Sequence, residues 1–219
     1  MKKNNFIFSI GVDGSSASGK TTGSKIIAKR FGFKLLSSGK LYRYLALRII
    51  KNNGKYNHNF IKKVAKNLNL KKLSTKKLYN TNVTKLSSII AKKKYIRKSL
   101  KLFQLDFIKK NKKVVIEGRD IASKIMPNAD LKIYFKCSTK EKAKRRFKEF
   151  EKINKKVKIK EVEKALKLRD FSDMNRKESP LLFVKGAVLV DTTKLTINQM
   201  KVKLFNLVKR SLFKKYGNI

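Results

Sequence analysis

The stretch Gly14-Ser15-Ser16-Ala17-Ser18-Gly19-Lys20-Thr21 constrains this chain more than any other. It reads G-x-x-x-x-G-K-T, the phosphate-loop pattern, which requires a strand before it and a helix after it. Residues 6–12 are a short, mostly apolar run closing on Asp13, which predicts a buried strand. Residues 21–30 set Ile26, Ile27 and Ala28 among polar residues, which predicts a helix. Gly14 and Gly19 let the backbone turn its N–H groups onto one anion, and the helix start adds its positive end. Lys20 supplies a mobile charge for the outer phosphates of a nucleoside triphosphate, and the Thr21 hydroxyl suits the accompanying magnesium.

The rest of the chain repeats this alternation. Strands are predicted at 33–36, 113–116, 131–135 and 187–190. Helices are predicted at 40–50, 60–68, 82–91, 95–110, 141–150, 161–176 and 196–209, the last with Leu195, Ile197, Met200, Leu204, Leu207 and Val208 on its apolar side. Otherwise 55–80 reads as loop, and 151–160 as a very basic loop or frayed helix. Alternating strands and helices predict an α/β fold with a parallel five-stranded sheet covered on both faces. Ligands of such sheets lie beyond the strand C-termini. The phosphate loop, Ser38, Arg119 and Asp120 all follow strands, which predicts one shared crevice.

Lys and Arg number 58 against 14 Asp and Glu, a net charge of +44. So basic a surface attracts polyanions in a salt-dependent way. The lysines are scattered, however, which favours compositional drift over a nucleic-acid stripe. No apolar run approaches the roughly 18 residues of a membrane helix. Lys2 and Lys3 precede an apolar run cut off at Asp13, so no signal peptide is expected. Cys137 is the sole cysteine, so no internal disulfide is possible and a reducing cytoplasm is expected. The lone His58 reads as solvent-exposed, and no Cys/His cluster suggests zinc.

Arginine is scarce beside lysine, so each arginine points weakly to a site that needs a planar, bidentate donor. Arg43, Arg97, Arg119, Arg145, Arg146, Arg169 and Arg176 lie where phosphates could be bound. Phosphoryl transfer relies on such charge.

Five stretches carry a family resemblance: 12–22; Ser38-Gly39-Lys40-Leu41-Tyr42-Arg43; Glu117-Gly118-Arg119-Asp120; Ala143-Lys144-Arg145-Arg146; and Arg169-Asp170-Phe171-Ser172-Asp173-Met174-Asn175-Arg176. Over nearly its full length the chain resembles the bacterial cytidylate kinases, which phosphorylate CMP and dCMP. The resemblance implies a single P-loop NTPase-type kinase domain. Its core is 1–40 and 111–219, with an inserted helical nucleotide-monophosphate subdomain at about 41–110 and a short lid at about 146–162. It implies ATP and Mg2+ at Gly14, Ser15, Ser16, Ala17, Ser18, Gly19, Lys20, Thr21 and Thr22, with Arg146 beside ATP and Thr21 on the metal. Catalytic roles fall on Lys20, Arg119, Arg145, Arg169 and Arg176. Substrate contacts fall on Ser38, Arg43, Ser88, Arg97, Arg119, Asp120, Arg169, Asp173 and Arg176. Among these, Ser88, Arg97 and Asp120 read the cytosine ring, and Asp173 holds the ribose. Asp120 suits the cytosine N4 donor, and Arg97 and Ser88 suit its acceptors.

The chain departs from the family pattern at Ser37, which stands for an acid, Ser15 for a proline and Glu117 for an Asp. Tyr79 and Asn82 also differ, and the stretch from Arg43 to Ser88 is short, which implies trimmed strands in the subdomain. A monomeric cytoplasmic enzyme with small-molecule substrates and no specific nucleic-acid partner is expected. The residues leave open a P-loop kinase for another nucleotide or metabolite, and a basic nucleic-acid-binding protein on the same fold.

Overall fold

The computed structural model describes residues 6–151 and 156–217. The expected lid at 146–162 and the basic segment at 151–160 therefore lie partly outside the described residues, as do Lys2 and Lys3. The chain divides into two compact units. One ends at Leu35 and resumes at Lys112; the other is Leu36–Asn111.

The strands form a sheet in the order β2-β3-β1-β4-β5: β1 (Phe8–Gly14), β2 (Lys34–Ser37), β3 (Lys113–Gly118), β4 (Leu131–Lys136) and β5 (Val188–Asp191). β1 pairs in parallel with both β3 and β4, and β4 pairs in parallel with β5. β1 thus has a neighbour from later in the chain on each side, and the crevice of such a sheet opens at its C-terminal end. Asp13 lies opposite Gly118, and Gly14 opposite Phe135. That register sets the phosphate loop level with the residues that leave β3.

Phe8, Ile10 and Val12 are fully buried, and Val115, Ile133 and Phe135 pack with them. Ile27 of α1 (Lys20–Phe31) joins the same core. So do Met200, Leu204, Val208 and Leu212 of α8 (Ile197–Tyr216), spaced by four residues as one helical stripe requires. Thr196 starts α8 with a full capping box to Gln199. The stripe continues one turn past Lys209, so the helix runs to Tyr216. Ile197, expected on the apolar side, shares the stripe's face but lies in the first turn of α8 and is 60% exposed.

Gly23 lets α1 approach β4. A Cβ there would lie 2.5 Å from Phe135 Cζ and 3.1 Å from Leu204 Cδ1. Gly23→Ala is expected to cost about 2 kcal/mol by overpacking, a fall in Tm of roughly 4–8 °C. A thermal melt at fixed salt checks it.

The second unit is helical. It contains α2 (Ser38–Lys51), α3 (His58–Lys66), α4 (Thr81–Ile90) and α5 (Lys94–Lys109). Leu41, Leu45, Ile49, Ile61, Leu78, Ile90, Ile96 and Leu100 fill it and are essentially inaccessible. Between Ser38 and Asn111 the described residues contain no strand. The segment expected as loop after α3 holds two short 3-10 turns, Lys71–Leu73 and Lys76–Tyr79. Asn69 accepts from the Lys72 N–H and Thr75 from the Lys77 N–H, local side-chain bonds that create no apolar periodicity. His58 is exposed and meets the Tyr95 ring edge-on.

Candidate active site

The phosphate loop joins the C-terminal end of β1 to α1. Gly14 has φ 154°, and a Cβ there would lie 2.5 Å from the Phe135 carbonyl oxygen, so only glycine fits. Gly19 has φ 88° and precedes Lys20, the first residue of α1. The Ser15 carbonyl accepts from the Ser18 hydroxyl at 2.9 Å and from Lys20 Nζ at 3.1 Å. The Ser18 carbonyl accepts from the Thr192 hydroxyl at 2.9 Å. Burial, and secondarily the neighbouring Arg119 charge, pull the Lys20 amine down to about 7.

Asp13, just before the loop, accepts the N–H groups of Ile121 and Ala122 at 2.9 and 2.7 Å. It thereby clamps the single π-helical turn Ile121–Ile125 that follows Asp120. Burial raises its carboxyl to about 6 despite those two bonds.

β3 delivers two side chains toward the loop. Glu117 and Gly118 lie inside this strand, which runs two residues further than expected because β1 continues alongside it. Buried Glu117 accepts from the Thr21 hydroxyl at 3.1 Å. Arg119 spreads its guanidinium over three partners. Nε donates to Asp173 at 2.8 Å, Nη2 to the Ser16 hydroxyl at 3.0 Å and Nη1 to the Gly118 carbonyl at 3.2 Å. Burial opposes the Arg119 charge, but Asp173, with Glu117 and Asp170, outweighs it and raises the guanidinium further. Burial would likewise raise the Asp173 carboxyl, yet Arg119, Arg169 and Arg176 together hold it below the usual carboxylate range.

The other candidate site arginines of this unit come from α6 (Thr139–Glu151), α7 (Ile159–Asn175) and the residue just after α7. Arg145 donates to the Thr192 hydroxyl at 3.0 Å and its carbonyl at 2.7 Å, and to Glu141 at 3.0 Å. Thr192 thus links Arg145 to the Ser18 carbonyl of the loop. Arg176 donates to the Ser179 carbonyl at 2.8 Å and lies 3.4 Å from Asp173. Arg146 pairs with Glu149 at 2.7 Å on the surface. Thr22 is exposed at the start of α1, and Asp120 is buried at the mouth of the π turn.

In the helical unit, Ser38 is the buried first residue of α2. Arg43 donates to the Leu78 carbonyl at 3.0 Å and the Thr84 hydroxyl at 2.6 Å, with its guanidinium over the Tyr79 ring. Arg97 is buried over the Tyr42 ring and donates to the Ala91 carbonyl at 2.9 Å. The Ser88 hydroxyl donates to the Thr84 carbonyl at 3.3 Å.

Glu117, Thr192, Lys142 and Asp170 also reach the loop, and their spacing in the sequence does not show it. Among the described residues no three His, Cys, Asp or Glu side chains gather as a metal cluster. Thr21 and Glu117 offer hard oxygen donors beside the loop, the set that suits magnesium held mainly by phosphates.

A phosphate loop at the end of a central parallel strand, an acid beside its threonine and arginines converging on it define a P-loop phosphotransferase. Comparison narrows the class. The family model for cytidylate kinases matches residues 10–210. The cytidylate kinase of Fusobacterium nucleatum is 39% identical over 208 residues, covering 87% of this chain and 92% of that protein. The cytidylate kinase of Phytoplasma mali is 34% identical, covering 92% and 94%. That of Caldicellulosiruptor saccharolyticus is 31% identical, covering 100% and 99%. The chain belongs to the cytidylate kinase family, and is an ATP-using kinase.

Proposed function

We propose that the chain carries out its family's reaction, moving the γ-phosphoryl group of ATP to CMP or dCMP and releasing ADP and CDP or dCDP, through the following residues. The loop amides of residues 14–22 cradle the ATP phosphates, with Lys20 on the outer ones and Arg146 beside the nucleotide. Arg119, Arg145, Arg169 and Arg176 stabilise charge on the phosphoryl group in flight. Magnesium bound by Thr21, with Glu117 behind it, would neutralise charge between the outer phosphates. No general base is needed, because the acceptor phosphate is already ionised at neutral pH.

In the helical unit Ser38, Arg43, Ser88 and Arg97 supply donors to the monophosphate nucleotide. Asp120 accepts from cytosine N4, and Asp173 serves the ribose while orienting Arg119 and Arg176. A monomer acting in the cytoplasm fits these small substrates, and polyanion affinity is general electrostatics. The observation that carries this reading is the Arg119 fork, which ties the phosphate loop at Ser16 to Asp173 in one span.

Asp120→Ala is expected to raise KM for CMP roughly ten- to a hundredfold, the worth of a good base contact. KM for ATP should change far less, because the loop amides and Lys20 assigned to the ATP phosphates are untouched. Steady-state kinetics with each substrate varied check it; unchanged CMP kinetics would remove Asp120 from base readout.

A further inference from the structure

The phosphate loop is held from outside by a buried ion pair that the reaction scheme above does not use. Asp170, on α7, accepts the Ser16 N–H at 2.9 Å. Its other oxygen accepts from Lys142 Nζ, on α6, at 2.5 Å, and Lys142 Nζ also lies 3.4 Å from the Ser15 hydroxyl. Both side chains are nearly inaccessible, at 6% and 7% exposure. Next to Ser16, Ala17 adopts φ 57°, a left-handed conformation that a non-glycine residue takes up only at a cost. Its methyl packs against the small cluster of Ala143, Val162 and Leu166, again from α6 and α7. The loop is therefore fixed at two adjacent residues by the same helix pair.

A carboxylate in this position carries a cost. It sets a full negative charge against a loop whose amides converge to attract phosphates. Lys142 offsets that charge through the other carboxylate oxygen. We infer that Lys142 and Asp170 are positioning residues of the ATP site: Asp170 holds the loop through Ser16, and Lys142 neutralises Asp170 so that the held loop still admits a triphosphate. This rests on the assignment of ATP to the loop.

Charge logic and mere scaffolding predict different signs. Lys142→Met leaves the Asp170 charge unpaired beside the phosphates, and should weaken binding of a non-hydrolysable ATP analogue about tenfold or more. Asp170→Asn keeps an acceptor for Ser16 and leaves an unpaired cation, so the analogue should bind as tightly as to the parent or more tightly. The double variant Lys142→Met/Asp170→Asn should return to within about twofold of the parent, with near-isosteric neutral groups in place of the pair. Lys142→Arg, which keeps the charge, should resemble the parent.

The experiment is calorimetric titration of the analogue with magnesium at fixed moderate salt, after melts show each variant folded at the working temperature. Opposite signs for the two single variants, with rescue in the double, support the inference. Weakening in both single variants in step with their loss of Tm would overturn it, as would an unaffected Lys142→Met. If Lys142→Met does not fold, Asp170→Asn and the double variant decide: weaker binding in both overturns the inference. A parent protein that binds no analogue would instead overturn the ATP assignment itself.

Discussion

Lys20→Met should lower kcat roughly a hundred- to a thousandfold, the usual cost of removing one preorganised charge from a transition state. The cause is local. Lys20 is buried, its amine rests on the Ser15 carbonyl at 3.1 Å, and it is the one ammonium that the loop itself contributes. Its amine is depressed to about 7 by burial and by Arg119, so around neutral pH it is poised between charged and neutral. Phosphate oxygens would restore the charge, and ATP binding at pH 8 should therefore take up close to one proton. Titrations in buffers of different ionisation enthalpy measure this, and the uptake should vanish in Lys20→Met.

Stability should move the opposite way to activity. Between pH 7 and the unfolded value near 10.5, the folded chain binds fewer protons at Lys20 than the unfolded chain does. Stability from this group therefore rises with pH across that window, and its burial cost is largest below pH 7. Lys20→Met removes that cost, so the variant should melt above the parent at pH 6, with the gap narrowing toward pH 10. Melts at both pH values test the sign.

Arg119→Lys should cost roughly a hundred- to a thousandfold in kcat, although it keeps the charge. The guanidinium engages the Ser16 hydroxyl, the Gly118 carbonyl and Asp173 in three directions fixed by one plane. An ammonium holds no such plane, so the loop contact and the Asp173 contact cannot both be kept in register. The variant should still bind the ATP analogue, since the loop amides are untouched. Single-turnover rates set beside equilibrium binding separate the two effects.

What could be read from the sequence follows from what each signal depends on. The strand–loop–helix at 8–31 was legible because its chemistry is local: two glycines, a lysine and a threonine at fixed spacing, framed by apolar runs. The paired arginine and acid stretches were legible as motifs, but not their contacts. Arg119 meets Ser16 across 103 residues and Asp173 across 54, and no spacing rule encodes that. Lys142 was invisible for another reason. Among 58 basic residues nothing marks the one whose amine is buried against Asp170. Thr192 was missed because a lone threonine after a strand is ordinary; only the parallel pairing of β5 with β4 carries it to the Ser18 carbonyl. The 3-10 turns between α3 and α4 depend on side-chain caps, which leave no period to detect.

ADP release from ATP and magnesium at moderate salt, with CMP, dCMP, UMP and AMP offered separately as acceptors, decides whether this chain is a kinase that reads cytosine. Fast turnover is expected with CMP and dCMP, and little with UMP or AMP. Folded protein that binds the ATP analogue yet turns over none of the four, or prefers AMP, would contradict it.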